Sequence, residues 1–240
     1  MNIKRIILFV ISILPIILIG TYIYKKDKNK EPKKLLLELF VLGILSTIVV
    51  FFISKFSGSF IPILNTDTTK SFNNIELIIY TFVGIGFIEE LSKWIIIYIF
   101  SYNNKEFDEY FDIIVYSVFV ALGFACFENI VYVLNSESMS IAIFRAFLSV
   151  PGHVCNAIFM GYYLGLAKYY EINNNSIKRY KNEIFSLFIP VIIHGTFDFL
   201  LYKEKMILLI VFFILIINLY VLAMKSLNKV LQNNMKIKSL

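Results

Sequence analysis

Residues 75–100 read IELIIYTFVGIGFIEELSKWIIIYIF. At about 1.5 Å per residue this stretch makes roughly 39 Å of helix, more than the ~30 Å hydrocarbon core of a bilayer requires. Yet Glu89, Glu90 and Lys93 stand inside it. A charged group at mid-membrane costs about 2.5–3.5 kcal/mol on insertion scales. Three in one span must therefore face one another, water, or partners on neighbouring helices. The stretch predicts a membrane-spanning helix that carries part of a buried polar site.

Apolar runs of similar length recur to both sides. The chain of 240 residues is 58% hydrophobic and 17% charged, with mean hydropathy +0.75, whereas a soluble domain is about 45–50% apolar. Seven spans are predicted: Arg5–Tyr24, Leu35–Phe56, Ile75–Phe100, Asp112–Leu134, Met139–Ala167, Glu183–Tyr202 and Met206–Met224. The expected fold is all-α, a polytopic integral membrane helical bundle of about seven transmembrane helices. Residues 1–240 form one domain, with the chemistry-bearing bundle at about 75–202. No internal repeat or linker divides it. The first span has a basic start but no small-residue cleavage site after it, so it is read as a span rather than a leader.

The net charge of +6 fits the positive-inside rule better than nucleic-acid binding, because the lysines crowd into short loops. Six fall between Lys25 and Lys34, and further basic residues lie in Lys168–Lys181 and after Lys225. Alternating spans put all three segments on one side. A multi-pass protein of the cell membrane is expected, with its N-terminus outside and its C-terminus cytoplasmic. The loop Ser57–Asn74 is long, and its centre, Phe60 to Leu64, is apolar enough to dip into the interface. Cys126 and Cys155 lie inside spans and read as packing residues.

The remaining polar residues within spans are few. Glu128 and Asn129 lie in the fourth, His153 in the fifth, and His194 with Asp198 in the sixth. Glu89, Glu128, His153 and His194 sit roughly 17–24 Å from the starts of their spans, which brings all four near the bilayer centre. Glu90 and Glu89 precede Lys93 by three and four residues, so both are its helix neighbours. One carboxylate can pair with the lysine, leaving the other for general-base work. Asp198 lies one turn beyond His194 and can fix its tautomer. Asn129 can donate to an oxyanion or hold two helices together. Arg145 is expected to snorkel outward, with pairing to a site carboxylate as the alternative. Pro151 and Pro190 predict irregular backbone near the two histidines. Gly84 and Gly86 permit close helix approach or leave room for substrate, and Gly161-x-x-x-Gly165 reads as helix packing. The chain has no zincin motif, no nucleophile elbow and no phosphate-cradling loop.

Taken in order, Glu89-Glu90-x-x-Lys93, Phe124-x-x-x-Glu128-Asn129, His153 with Gly161-Tyr162, and His194-x-x-x-Asp198 resemble the PrsW family of membrane proteases. The resemblance covers about Phe82 to Leu200. The wider group of CAAX prenyl endopeptidases differs at the positions of Lys93 and Glu128. The resemblance implies an intramembrane endopeptidase. It implies a single-pass anti-sigma factor as substrate, cut first by this enzyme so that an extracytoplasmic-function sigma factor is later released. Envelope stress, such as antimicrobial peptides, is the implied trigger.

The expected catalytic set is Glu89, Glu90, Lys93, Glu128, Asn129, His153, His194 and Asp198. Glu89 is the expected base and His194 the expected oxyanion group. A metal-free mechanism is favoured because Lys93 would repel a cation. If zinc is present, Glu89, Glu128, His153 and His194 are its candidate ligands. The expected partners are the lipid bilayer and a single-pass membrane substrate, not nucleic acid. The alternatives are a proton-coupled transporter, disfavoured by the lack of repeated halves, and a non-catalytic membrane sensor.

Overall fold

The computed structural model describes residues 3–64, 72–203, 205–233 and 236–237. Its elements are α1 (Ile3–Lys26), α2 (Lys33–Phe60), a 3-10 turn (Pro62–Leu64), α3 (Asn74–Ile79), a π-helical stretch (Tyr80–Phe87) and α4 (Ile88–Phe100). They continue with α5 (Asp112–Ser136), α6 (Met139–Phe144), a second π-helical stretch (Arg145–Ser149), α7 (Val150–Ile172), α8 (Ser176–Tyr202) and α9 (Met206–Gln232). Six of the helical segments are long and apolar enough to cross a membrane, α6 through α7 counting as one. The seventh expected span is the helical run from Asn74 to Phe100, which carries Glu89, Glu90 and Lys93. The expected polytopic bundle is what the chain forms.

Helix α5 is its centre. Within its apolar window 72% of the residues are buried, against 28% in α1 and 17% in α9, which marks the latter two as peripheral and lipid-facing. Helix α5 packs on α1, α2, α4 and α7. The approach of α2 is closest at two glycines. A Cβ on Gly43 would lie 2.1 Å from the Val120 carbonyl oxygen, and one on Gly123 would lie 1.9 Å from that of Phe40. Thr47, one turn beyond Gly43, donates its hydroxyl to the Phe124 carbonyl at 3.2 Å. In a bilayer, where apolar burial gives no preference for helix over lipid, such backbone proximity supplies the packing energy. Gly161 does the same for α7, with Ile114 Cα 2.7 Å from its Cβ position, and Gly165 makes room for the Tyr110 ring.

Several expectations need correction. Helix α8 starts at Ser176, one turn and more before the expected Glu183, because Asn175 caps it by accepting from the Lys178 amide at 3.1 Å. Helix α9 likewise runs on to Gln232. The irregular backbone expected near Pro151 and His153 is present as the π-helical stretch Arg145–Ser149, although the helix continues through it. Pro151 lies inside the unbroken helical run Met139–Ile172, two residues after the π-helical stretch. Pro190 lies inside α8, which stays helical through it. The irregularity expected there is found instead at Tyr80–Phe87, across the helix interface. The loop after α2 is shorter than expected. Its Leu64 folds back towards Gly84, and residues 65–71 of that loop lie outside those described.

The link 101–111 is a plug rather than a solvated loop, with Tyr102, Phe107 and Phe111 fully buried. Tyr102 stacks on Tyr98, which stacks on Trp94. Beside it, burial pushes the Glu31 carboxyl in the α1–α2 link up to about 7. At the other end of the bundle, Arg5 pairs with Glu137 and holds its carboxyl below the usual carboxylate range.

Candidate active site

Two glycines bring α8 against the helix that carries the glutamates. A Cβ on Gly86 would meet the Gly195 amide nitrogen and the Val191 carbonyl oxygen at 3.2 Å, and one on Gly195 would meet the Phe82 ring at 2.6 Å. This contact lies one turn before Glu89 and beside His194. A π-helical stretch widens each turn and re-aims the residues that follow it. Both π stretches end just before site residues: Tyr80–Phe87 before Glu89, and Arg145–Ser149 before His153.

Glu90 is fully buried and holds the site together. Its Oε1 accepts from Lys93 Nζ at 2.7 Å, meets His194 Nδ1 at 2.7 Å, and accepts from Asn156 Nδ2 at 3.4 Å. Lys93 Nζ also lies 3.3 Å from His153 Nδ1 and 4.3 Å from the centre of the Phe124 ring. The other face of His153 presents Nε2 to Glu128 Oε2 at 3.0 Å. Arg145 reaches the same oxygen at 2.7 Å. The two imidazole rings meet edge to face, 5.4 Å apart.

Glu89 differs from its neighbour. It is buried, its contacts with Lys93 Nζ (3.9 Å) and His194 Nε2 (3.8 Å) are both beyond hydrogen-bond length, and its Oε2 has no hydrogen-bond partner among the described residues. Glu90 Oε2 and Asn156 Oδ1 are orphaned in the same way. Buried polar atoms are normally satisfied, so three orphans side by side mark a place for water, substrate or an ion. Asp198 Oδ2 stands 3.5 Å from His194 Nε2. Four carboxyl groups, Glu89, Glu90, Glu128 and Asp198, thus face two basic side chains, Lys93 and Arg145. Glu89 and Asp198, on either side of His194 Nε2, are the two left uncompensated.

The predicted residues therefore converge, with two changes of role. His194 is oriented from Nδ1 by Glu90, while Asp198 stands on the side of Nε2. Asn129 has both amide atoms engaged. Its Nδ2 donates to the Ser12 carbonyl on α1 at 2.8 Å, and its Oδ1 accepts from Arg145 Nε at 2.9 Å. Arg145 does not snorkel, because Glu128 and Asn129 pull it inward over the Tyr132 ring. Sequence reading missed Asn156. Its position three residues after His153 puts it on the same helix face and could have revealed it.

A cavity of about 350 Å³ opens between α7, α8 and α9 and is floored by Glu89, Glu128, His153, His194 and Asp198. A second of about 310 Å³ opens between α2, the first π-helical stretch and α5, and also reaches Glu89 and Glu128. Tyr132 and Tyr202 border both. Glu89 and Glu128 thus line both clefts.

A divalent metal fits the donors by type and spacing. Glu89, His153 and His194 each offer an atom within 4.8 Å of the others, and a His-His-Glu set with an open position is a known catalytic zinc arrangement. Glu128, the fourth expected ligand, is instead occupied by Arg145 and His153.

The family model described as PrsW family intramembrane metalloprotease matches residues 31–224. Protease PrsW of Clostridioides difficile strain 630 is 34% identical over 216 residues, covering 87% of this chain and 86% of that protein. Protease PrsW of Oceanobacillus iheyensis is 34% identical over 79% of this chain and 80% of its own length. Protease PrsW of Bacillus subtilis strain 168 is 34% identical with the same two shares. No solved structure matches the chain.

Proposed function

The chain belongs to the PrsW family of intramembrane proteases, and on that premise we propose that it makes the first cut in a membrane-anchored anti-sigma factor. That cut leads to release of an extracytoplasmic-function sigma factor under envelope stress such as antimicrobial peptides. The N-terminus lies outside and the C-terminus in the cytoplasm. The substrate is a single-pass membrane protein that enters by one of the clefts. The observation that carries the chemistry is the pair of adjacent glutamates, Glu90 held through Oε1 by Lys93 and His194, and Glu89 with no contact to either closer than 3.8 Å.

In this reading Glu89 takes a proton from water, and the water oxygen attacks the scissile carbonyl carbon. His194, protonated between Glu90 on one side and Glu89 and Asp198 on the other, donates from Nε2 to the oxyanion. Glu89 then gives the proton to the departing amine as the C–N bond breaks. Glu90 and Lys93 fix the imidazole and hold Glu89 at its post. His153, Glu128 and Arg145 form the opposite wall, and Asn129 positions Arg145. General-base catalysis contributes about 10²–10⁴-fold and an oxyanion donor about 10²–10³-fold.

A second reading is favoured by the convergence of Glu89, His153 and His194. These three would hold a zinc ion, which would supply an ionised water at neutral pH. Glu90 would then orient His194 from Nδ1. Against it stand the Lys93 ammonium, 3.3 Å from His153 Nδ1, and the engagement of both His153 nitrogens.

The deciding experiment compares membranes of cells making the wild type or Glu89→Gln under envelope stress, searched by mass spectrometry for truncated single-pass proteins. A fragment seen only with the wild type supports the reading and names the substrate. Identical membranes, with both proteins well expressed, would turn the reading towards transport or sensing.

A further inference from the structure

Far from the active site, three carboxylates are buried together at the opposite end of α5. Asp27 follows α1, Glu31 lies in the α1–α2 link, and Asp112 opens α5, with exposures of 1%, 5% and 0%. One oxygen of each lies within 4.8 Å of the others. Asp112 is sixteen residues from Glu128, about 24 Å along the helix, so the cluster is separate from the catalytic carboxylates.

Each carboxylate is held from one side. Asp112 Oδ2 accepts from the backbone amides of Glu109 at 2.6 Å and Asp108 at 3.1 Å. Asp27 Oδ2 accepts from the Glu31 amide at 3.3 Å, and Glu31 accepts from the Tyr116 hydroxyl. Of the remaining oxygens, Asp27 Oδ1 and Asp112 Oδ1 are buried with no donor among the described residues, and the Glu31 and Asp112 carboxyl groups lie within hydrogen-bond reach of each other. The neighbouring Lys30 is turned to backbone instead. Its Nζ donates to the carbonyls of Asp27 and Lys25.

Three buried carboxylates with a single lysine beside them are costly. The geometry points to a binding site for one divalent cation on Asp27, Glu31 and Asp112. Oxygens sharing one Ca²⁺ at about 2.4 Å lie no more than ~4.8 Å apart. A donor set of oxygens alone selects Mg²⁺, Mn²⁺ or Ca²⁺ over zinc. The ion would pin the α1–α2 link to the head of α5, the helix on which the bundle is built. This inference is independent of the proteolytic reading, because none of these residues touches the catalytic cavity.

The test uses the full chain in detergent micelles, stripped of metal, in a Glu89→Gln/His194→Ala background so that the catalytic donors hold no ion. Mn²⁺ is titrated in and the free ion is followed by electron paramagnetic resonance, with melting temperature measured alongside. One Mn²⁺ per chain is expected to bind, to be displaced by Mg²⁺ or Ca²⁺, and to raise the melting temperature. Asp112→Asn, and separately Asp27→Asn should the former fail to fold, should weaken binding at least about tenfold. Absence of Mn²⁺ binding, with stability indifferent to cations, would mean that the carboxyls carry protons instead and would overturn the inference. Undiminished binding in a folded variant would overturn it equally.

Discussion

Glu90 Oε1 and His194 Nδ1 meet at 2.7 Å, although 104 residues separate them in the chain. The same oxygen receives Lys93 at 2.7 Å, so Glu90 ties two helices of the site together. Its neighbour Glu89 has no contact of that kind. Two adjacent residues of the same type thus carry different tasks, and substitution should separate them.

Glu89→Gln should lower peptide hydrolysis by about 10²–10⁴-fold. It removes a buried carboxylate that lacks a close partner, so the melting temperature should hold or rise. A fall in melting temperature as large as the one expected for Glu90→Gln would show that Glu89 is structural.

Glu90→Gln should cost activity and stability together. It leaves Lys93 buried beside a neutral group, for which the typical penalty is about 3–5 kcal/mol. Thermal unfolding in micelles gives the second quantity, and cleavage of a fluorogenic transmembrane peptide gives the first.

Arg145→Met should destabilise the bundle by a few kcal/mol, on the order of other broken buried ion pairs, because Glu128 loses its 2.7 Å partner. A snorkelling arginine would give a change near zero. Arg145→Lys should recover only part of the loss, since one ammonium cannot reach both Glu128 and Asn129 as the guanidinium fork does.

Gly123→Leu and Gly86→Val should fail differently. The first drives a side chain into the Phe40 carbonyl and should separate α2 from α5, lowering expression of folded protein. The second wedges α8 from the helix bearing Glu89. Its overpacking should cost about 1–3 kcal/mol, and the larger effect should be on turnover, through the distance between Glu89 and His194.

Chelation should leave proteolysis intact if Glu89 activates water directly. The measurement belongs in an Asp112→Asn background, where the distant acidic cluster no longer contributes bound metal. Lost activity there, restored by one zinc per chain, would favour the ion on Glu89, His153 and His194.

The sequence determined the membrane bundle, because a bilayer demands about twenty apolar residues per crossing and makes each exception conspicuous. It also determined contacts within one helix, such as Glu90 with Lys93, because helical spacing fixes them. It marked Glu89, Glu128, His153 and His194 as members of one site by depth, and Asp198 by its spacing of one turn from His194. The rotation and spacing of the helices came only with packing. Those place Arg145 on Glu128, direct Asn129 to the Ser12 carbonyl, give His194 Nδ1 to Glu90 rather than to Asp198, and gather Asp27, Glu31 and Asp112 from separate segments. One turn of π-helix swings every residue beyond it to a new azimuth, and composition does not register that swing. Hydropathy reports how deep a residue lies. Which neighbour it faces depends on close approaches such as Gly86 to Gly195, which exist only once the helices have packed.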